Sequence, residues 1–125
     1  MLTCHEKHYA FDIVGFACDA PARAYVKCIK GYIGYFGCEK CEQRGRYIEG
    51  KLTFPEVSAP KRSDKSFKRQ AQEEHHKGTS PLSALNIGLV SGFPLDYMHL
   101  ICLGVMKKLL WYWMHGYNKV HISAT

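Results

Sequence analysis

Hydrophobic and polar positions divide this chain into stretches of different rhythm. Tyr9 to Cys18 (YAFDIVGFAC) is an apolar, β-branched and aromatic run that predicts a buried strand. Asp19, Ala20 and Pro21 follow directly. An acid ahead of proline and helix formers marks a helix start, and Ala22 to Lys30 predicts the helix, with Gly31 as its stop and Lys27 and Lys30 in its last turn. From Gly31 to Gly50, glycines at 31, 34, 37, 45 and 50 surround Cys38 and Cys41, and the pattern predicts loop, tight turns and short hairpin strands. Leu52 to Lys77 is polar and carries a basic run; Ser66 to His76 predicts a short helix, and Ser80 to Asn86 a capped helical turn. Phe93 to Gly116 is the strongest helical pattern, opened by Pro94 and closed by Gly116. Between Leu100 and Met114 apolar residues occupy almost every side, which predicts burial on several faces. There is no internal repeat, and Tyr117 to Thr125 gives no clear stop to the fold.

Composition narrows the class. A length of 125 residues allows one domain or part of a larger one. A hydrophobic fraction of 46% argues against disorder, and six Cys fall short of a disulfide scaffold. The formal charge of +6 points to an acidic partner, nucleic acid first. Met1 to His8 is polar, so no secretory signal is expected. Asp96, His99, Lys107 and Lys108 interrupt the longest apolar stretch, Leu95 to Met114, which predicts a buried helix of a soluble protein and no membrane contact. A reducing compartment then makes the Cys thiols or metal ligands rather than disulfides.

Three groups of residues carry candidate chemistry. Cys38-Glu39-Lys40-Cys41 in a glycine-rich turn points two sulfurs the same way, half of a tetrahedral structural zinc site. His75, His76, His99, Asp96 and Cys102 are candidates for the other ligands, and Cys38, Cys41, His99 with Asp96 or His75 is the favoured set. Two ordinary turn cysteines are the plain alternative. A redox motif would need the first Cys at a helix start after a strand, which this context does not offer. Asp96 and His99, three apart, share a helix face as ligands, as ligand and orienting acid, or as helix cap and core histidine. Asp19 ends the expected strand; it is either an N-cap or a carboxylate for a divalent metal. Lys61, Arg62, Lys65, Lys68 and Arg69 form a basic run that contacts phosphates or is simply solvated, and His75-His76 read slightly better as exposed loop than as ligands.

The order of these motifs is more specific than any one of them. CDAPARAYVKCIKG, GYFGCEKCEQRGRY, FPEV, RSDKSF, HH with SPL, and FPLDYMHLICLGVMKKLL follow one another between Asp12 and Trp113. Together this succession resembles the catalytic region of CACTA-type (En/Spm-like) DNA transposases. The resemblance implies an α/β fold: a partial RNase H-like core (strand–Asp–helix) over 1–36, a Cys/His zinc-type and basic insertion over 37–92, and a long buried helix with a truncated C-terminus over 93–125. It implies that Asp19 is the second acid of a DDE/D triad holding Mg²⁺ or Mn²⁺, with Cys38, Cys41, Asp96 and His99 at the family's CxxC and Asp-x-x-His positions. The implied partner is DNA, both transposon ends and target, and the implied location is the nucleus. The other two triad acids have no match, and Glu6 and Asp12 are poor replacements. The chain therefore reads as an internal fragment without strand-transfer activity of its own, since one carboxylate cannot position two metals. The other reading is a small zinc-stabilised nucleic-acid- or protein-binding module without catalysis.

Overall fold

The computed structural model describes residues 2–4 and 7–116, with the backbone alone at 2–4, 7 and 9. Glu6 and the 117–125 tail lie outside the described residues. Helices and strands are both present, but the strands form two separate antiparallel pairs. β1 (Leu2–Cys4) pairs with β2 (Lys7–Tyr9) in the register Leu2 to Tyr9. β3 (Arg46–Ile48) pairs with β4 (Lys51–Thr53) across Glu49-Gly50. Both turn residues have positive φ, 51° and 75°, as the tight two-residue turn matching strand twist requires.

The strand expected over Tyr9 to Cys18 does not form. β2 ends at Tyr9, and 10–19 has no regular structure; Phe16 N–H donates to the Gly92 carbonyl at 2.8 Å as a single link. An apolar run specifies a wish for burial, not a ladder partner, and Phe11, Ile13 and Val14 stay exposed. The helix start at Asp19 forms as its pattern predicts. α1 (Ala20–Val26) is capped by the Asp19 carboxylate, which accepts from the Ala22 N–H at 2.8 Å. The helix stops four residues before its expected end at Lys30, because Cys28 turns the chain at φ 53° and Ile29 bridges to His76.

The single helix expected over Ser66 to His76 is two pieces. α2 (Asp64–Lys68) opens on a reciprocal Ser63–Ser66 capping box, Gln70 reverses the chain at φ 50°, and Glu73–His75 forms a 3₁₀ turn. A second 3₁₀ turn, Pro81–Ala84, is capped by Ser80. Tyr97–Met106 is wound as a π-helix and continues into α3 (Lys107–His115). This long helix is not buried as expected: none of its residues is fully enclosed, and Tyr97, Leu103, Trp111 and Met114 are all exposed. A helix apolar on every side has no single stripe to seat against a core, so its composition does not select a packing face.

The core is small and assembled from distant segments. Ile29, Phe67, Leu89, Val90 and Phe93 are buried together, with Phe16, Ala24, Val26 and Leu82 packed against them. Phe16 and Phe93 stack at 5.5 Å. Lys27, only 1% exposed, runs its stem through this cluster, and its ammonium lies 5.2 Å from the ring centres of both Phe67 and Phe93. Asp64 fastens the far side. Its carboxylate accepts from the Val90 and Ser91 N–H groups and the Ser91 hydroxyl at 2.7, 3.1 and 2.7 Å. Burial works against that charge, but these donors win and hold the Asp64 carboxyl below the usual carboxylate range.

Candidate functional site

The 37–45 turn is held in place by a charged cluster that the sequence pattern does not announce. Glu39, inside the CxxC, accepts from Arg23 Nε at 3.1 and 3.3 Å and from Lys27 Nζ at 3.0 Å. Arg23 also donates to the Cys18 carbonyl. Burial pushes the Lys27 ammonium below its usual pKa even though Glu39 opposes it. Burial pushes Glu39 the other way, yet Lys27 and Arg23 outweigh it and hold the carboxyl low. The two shifts differ in what dominates because Lys27 is the more deeply enclosed and Glu39 has two cations. The available signal is two basic residues four apart on α1, a spacing that puts Arg23 and Lys27 on one face.

With the turn so fixed, Cys38 and Cys41 face each other, Sγ to Sγ 3.0 Å. Gln43 Nε2 donates to the Cys41 sulfur at 2.9 Å. Burial raises the Cys38 pKa, and its bond to Cys41 adds to the rise. Burial acts the same way on Cys41, but the bonds from Cys38 and Gln43 outweigh it and lower that thiol. Arg62 braces the turn from behind: it is buried, its Nε donates to the Cys38 carbonyl at 3.0 Å, and its other end bonds to Gln72.

His75 is fully buried, against the expectation of an exposed loop, and His76 is half-buried. His75 Nδ1 bonds to the Phe36 carbonyl at 2.6 Å, two residues before Cys38. Burial lowers its pKa to about 4, and burial lowers His76 too, so both rings are neutral near pH 7. Their Nε2 atoms are enclosed without a hydrogen-bond partner among the described residues. Such orphaned nitrogens are uncommon in folded proteins.

The remaining candidates are dispersed. Asp96 caps the π-helical run at the Met98 N–H, and His99 Nδ1 donates to its carboxylate. Desolvation pushes the Asp96 carboxyl up, but the bonds from His99 and Met98 together outweigh it and hold the carboxyl low. His99 and Cys102 are exposed on the long helix. Asp19 is half-buried, with one carboxylate oxygen engaged as the α1 cap. Among the described residues no three His, Cys, Asp or Glu side chains gather as a metal-holding group. Two thiols fit half of a zinc sphere, and one carboxylate does not fit a pair of divalent ions.

The basic run splits in two. Arg62 is structural, whereas Lys61, Lys65, Lys68 and Arg69 are exposed and form no ion pair with any described residue. No helix among the described residues is long and apolar enough to cross a membrane. No family model, curated protein or solved structure matches the chain.

Proposed function

We propose that this chain handles DNA as part of the catalytic region of a CACTA-type transposase. The observation that carries the DNA half of the reading is the group of exposed cations in and around α2: Lys61, Lys65, Lys68 and Arg69 form no ion pair with any described residue, whereas Arg62, the fifth charge of the run, is used internally. Desolvated salt bridges would leave nothing for a phosphate to replace, and these cations have only counterions to release. The transposase half rests on the order of the sequence motifs, with Asp19 as the one triad acid that the chain supplies and the nucleus as the place of action.

A structural zinc belongs to the same proposal. Cys38 and Cys41 supply two donors, half of a tetrahedral set, and the described fold brings no third His, Cys, Asp or Glu side chain to them. Metal analysis of purified protein tests this: one zinc per chain is expected, lost in Cys38→Ser with Cys41→Ser, and absence of zinc from the wild type refutes it. A non-catalytic DNA-binding module is the second reading, and the engagement of Asp19 as a helix cap favours it.

Salt-dependent binding to a DNA duplex tests the common part. Charge reversal at Lys61, Lys65, Lys68 and Arg69 is expected to flatten the dependence of log K on log salt by about 0.9 for each phosphate that is no longer neutralised. Unchanged affinity and slope would sink the DNA reading.

A further inference from the structure

One face of α2 borders a cleft of about 410 Å³, closed on its other side by the 78–83 turn. Lys68 and Arg69 line one wall, and Thr79 and Ser83 the other. No acidic residue lines it. The Lys68 ammonium makes no hydrogen bond or ion pair with a described residue, and Arg69 uses only its Nε, on the Lys65 carbonyl at 3.4 Å. The hydroxyls of Thr79 and Ser83 donate to no described residue, unlike the neighbouring Ser80, which is buried and bonded to the Val26 carbonyl. His76 also lines the cleft, and its Nε2 is enclosed with no hydrogen-bond partner among the described residues. Lys68 borders a second cavity that includes Asp64, but that carboxylate is already engaged by Val90 and Ser91.

We propose that this cleft is a subsite for one backbone phosphate of a nucleic acid strand, with Lys68 and Arg69 supplying charge and Thr79 and Ser83 supplying hydroxyl donors. The proposal rests on the DNA reading above and adds to it a position. A flat cationic face attracts a polyanion anywhere along its length, whereas a walled cleft with convergent donors fixes where a phosphate sits. The size admits a phosphate with its flanking sugar. Gly78 lines the cleft, and a Cβ added there meets no atom within 4 Å, so the backbone accepts a substitution at this position.

Fluorescence anisotropy with a short single-stranded oligonucleotide, over a range of salt, separates the cleft from the face. Thr79→Val with Ser83→Ala is expected to weaken binding about tenfold while leaving the salt slope unchanged, since hydrogen bonds are removed and no charge is. Lys68→Ala with Arg69→Ala should lower the slope by about 0.7, the share of one single-strand phosphate. Gly78→Trp, which removes no polar group, should also weaken binding by filling the cleft. Far-UV circular dichroism of each variant confirms an intact fold. If Thr79→Val with Ser83→Ala and Gly78→Trp both bind as the wild type does, the cleft is overturned; weakening by Lys61→Glu with Lys65→Glu in the same series leaves the broader DNA reading standing. If no variant weakens binding, both fall. Amide shifts of Thr79 and Ser83 that saturate with inorganic phosphate and do not respond to the oligonucleotide would assign the cleft to a free phosphate and overturn the nucleic acid source.

Discussion

Replacing Glu39 with glutamine removes one charge and almost no volume from the point where α1 meets the cysteine turn. In the native chain the carboxylate accepts three hydrogen bonds from two cations, and one of them, Lys27, is almost wholly enclosed. Glutamine keeps one oxygen and turns its NH₂ towards the other cation, leaving a buried positive charge uncompensated. Breaking a buried pair in this way costs about 3–5 kcal/mol. The Glu39 side chain retains some solvent contact, 15% of its surface, so screening brings the expectation to the lower end, about 3 kcal/mol. Against a total stability of about 5–15 kcal/mol, that is a large loss. Urea unfolding followed by far-UV circular dichroism measures it. Tryptophan fluorescence is unsuitable, because Trp111 and Trp113 lie on the exposed helix and do not report on this cluster. The pH dependence supplies a second readout. Glu39 has a folded pKa below its unfolded value, so its stabilisation is present above the ordinary glutamate range and is lost as pH falls through the folded value. Glu39→Gln should lack that acid-side contribution. A loss under about 1 kcal/mol, with an unchanged acid limb, would refute the view that this carboxylate neutralises Lys27.

Three further outcomes are expected. Gly88→Ala places a Cβ 2.2 Å from the Ser91 hydroxyl and 2.5 Å from the Asp64 carboxylate, so it should cost about 1–3 kcal/mol in urea unfolding and expose the Val90 amide to hydrogen exchange. His75 has a folded pKa of about 4, below its unfolded value, so stability should fall as pH drops from the ordinary histidine range towards 4; His75→Phe should remove that slope in unfolding midpoints measured at successive pH values. Asp19→Ala should cost about 1 kcal/mol by thermal or chemical unfolding, the worth of a helix cap, while Asp19→Asn should cost much less; an equal loss for both would show that the negative charge is what matters.

What the sequence discloses here is mostly local. The Asp19-Ala20-Pro21 start and the Ser80 turn are legible because a cap satisfies its own neighbours' N–H groups and needs no distant partner. The pairing of Cys38 with Cys41 is legible for the same reason: three residues of turn decide it. The absence of a strand over Tyr9 to Cys18 is not, since a ladder depends on a second strand that a periodicity cannot supply. Lys27 is the sharpest case. Its charge and its place near a helix end read as a solvated residue favouring the helix dipole, yet two aromatic rings from residues 67 and 93 and one acid from the cysteine turn enclose it. Arg62 likewise reads as one of five surface cations and proves to be the brace of the turn, because its fate is set by Cys38 and Gln72 and not by its neighbours in the run. His75 reads as exposed because nothing in its own neighbourhood of sequence points to Phe36.

The bonds that define this core span long distances along the chain: Ser80 to Val26 across 54 residues, Lys40 to Phe93 across 53, His75 to Phe36 across 39. Closing a longer loop adds little to the equilibrium cost, about 0.6 kcal/mol per doubling, but such contacts form late and together. During synthesis Lys27 and Ile29 precede Phe67, and Phe67 precedes Phe93, so the enclosure of the Lys27 ammonium is completed only when the most C-terminal of its two rings has been made.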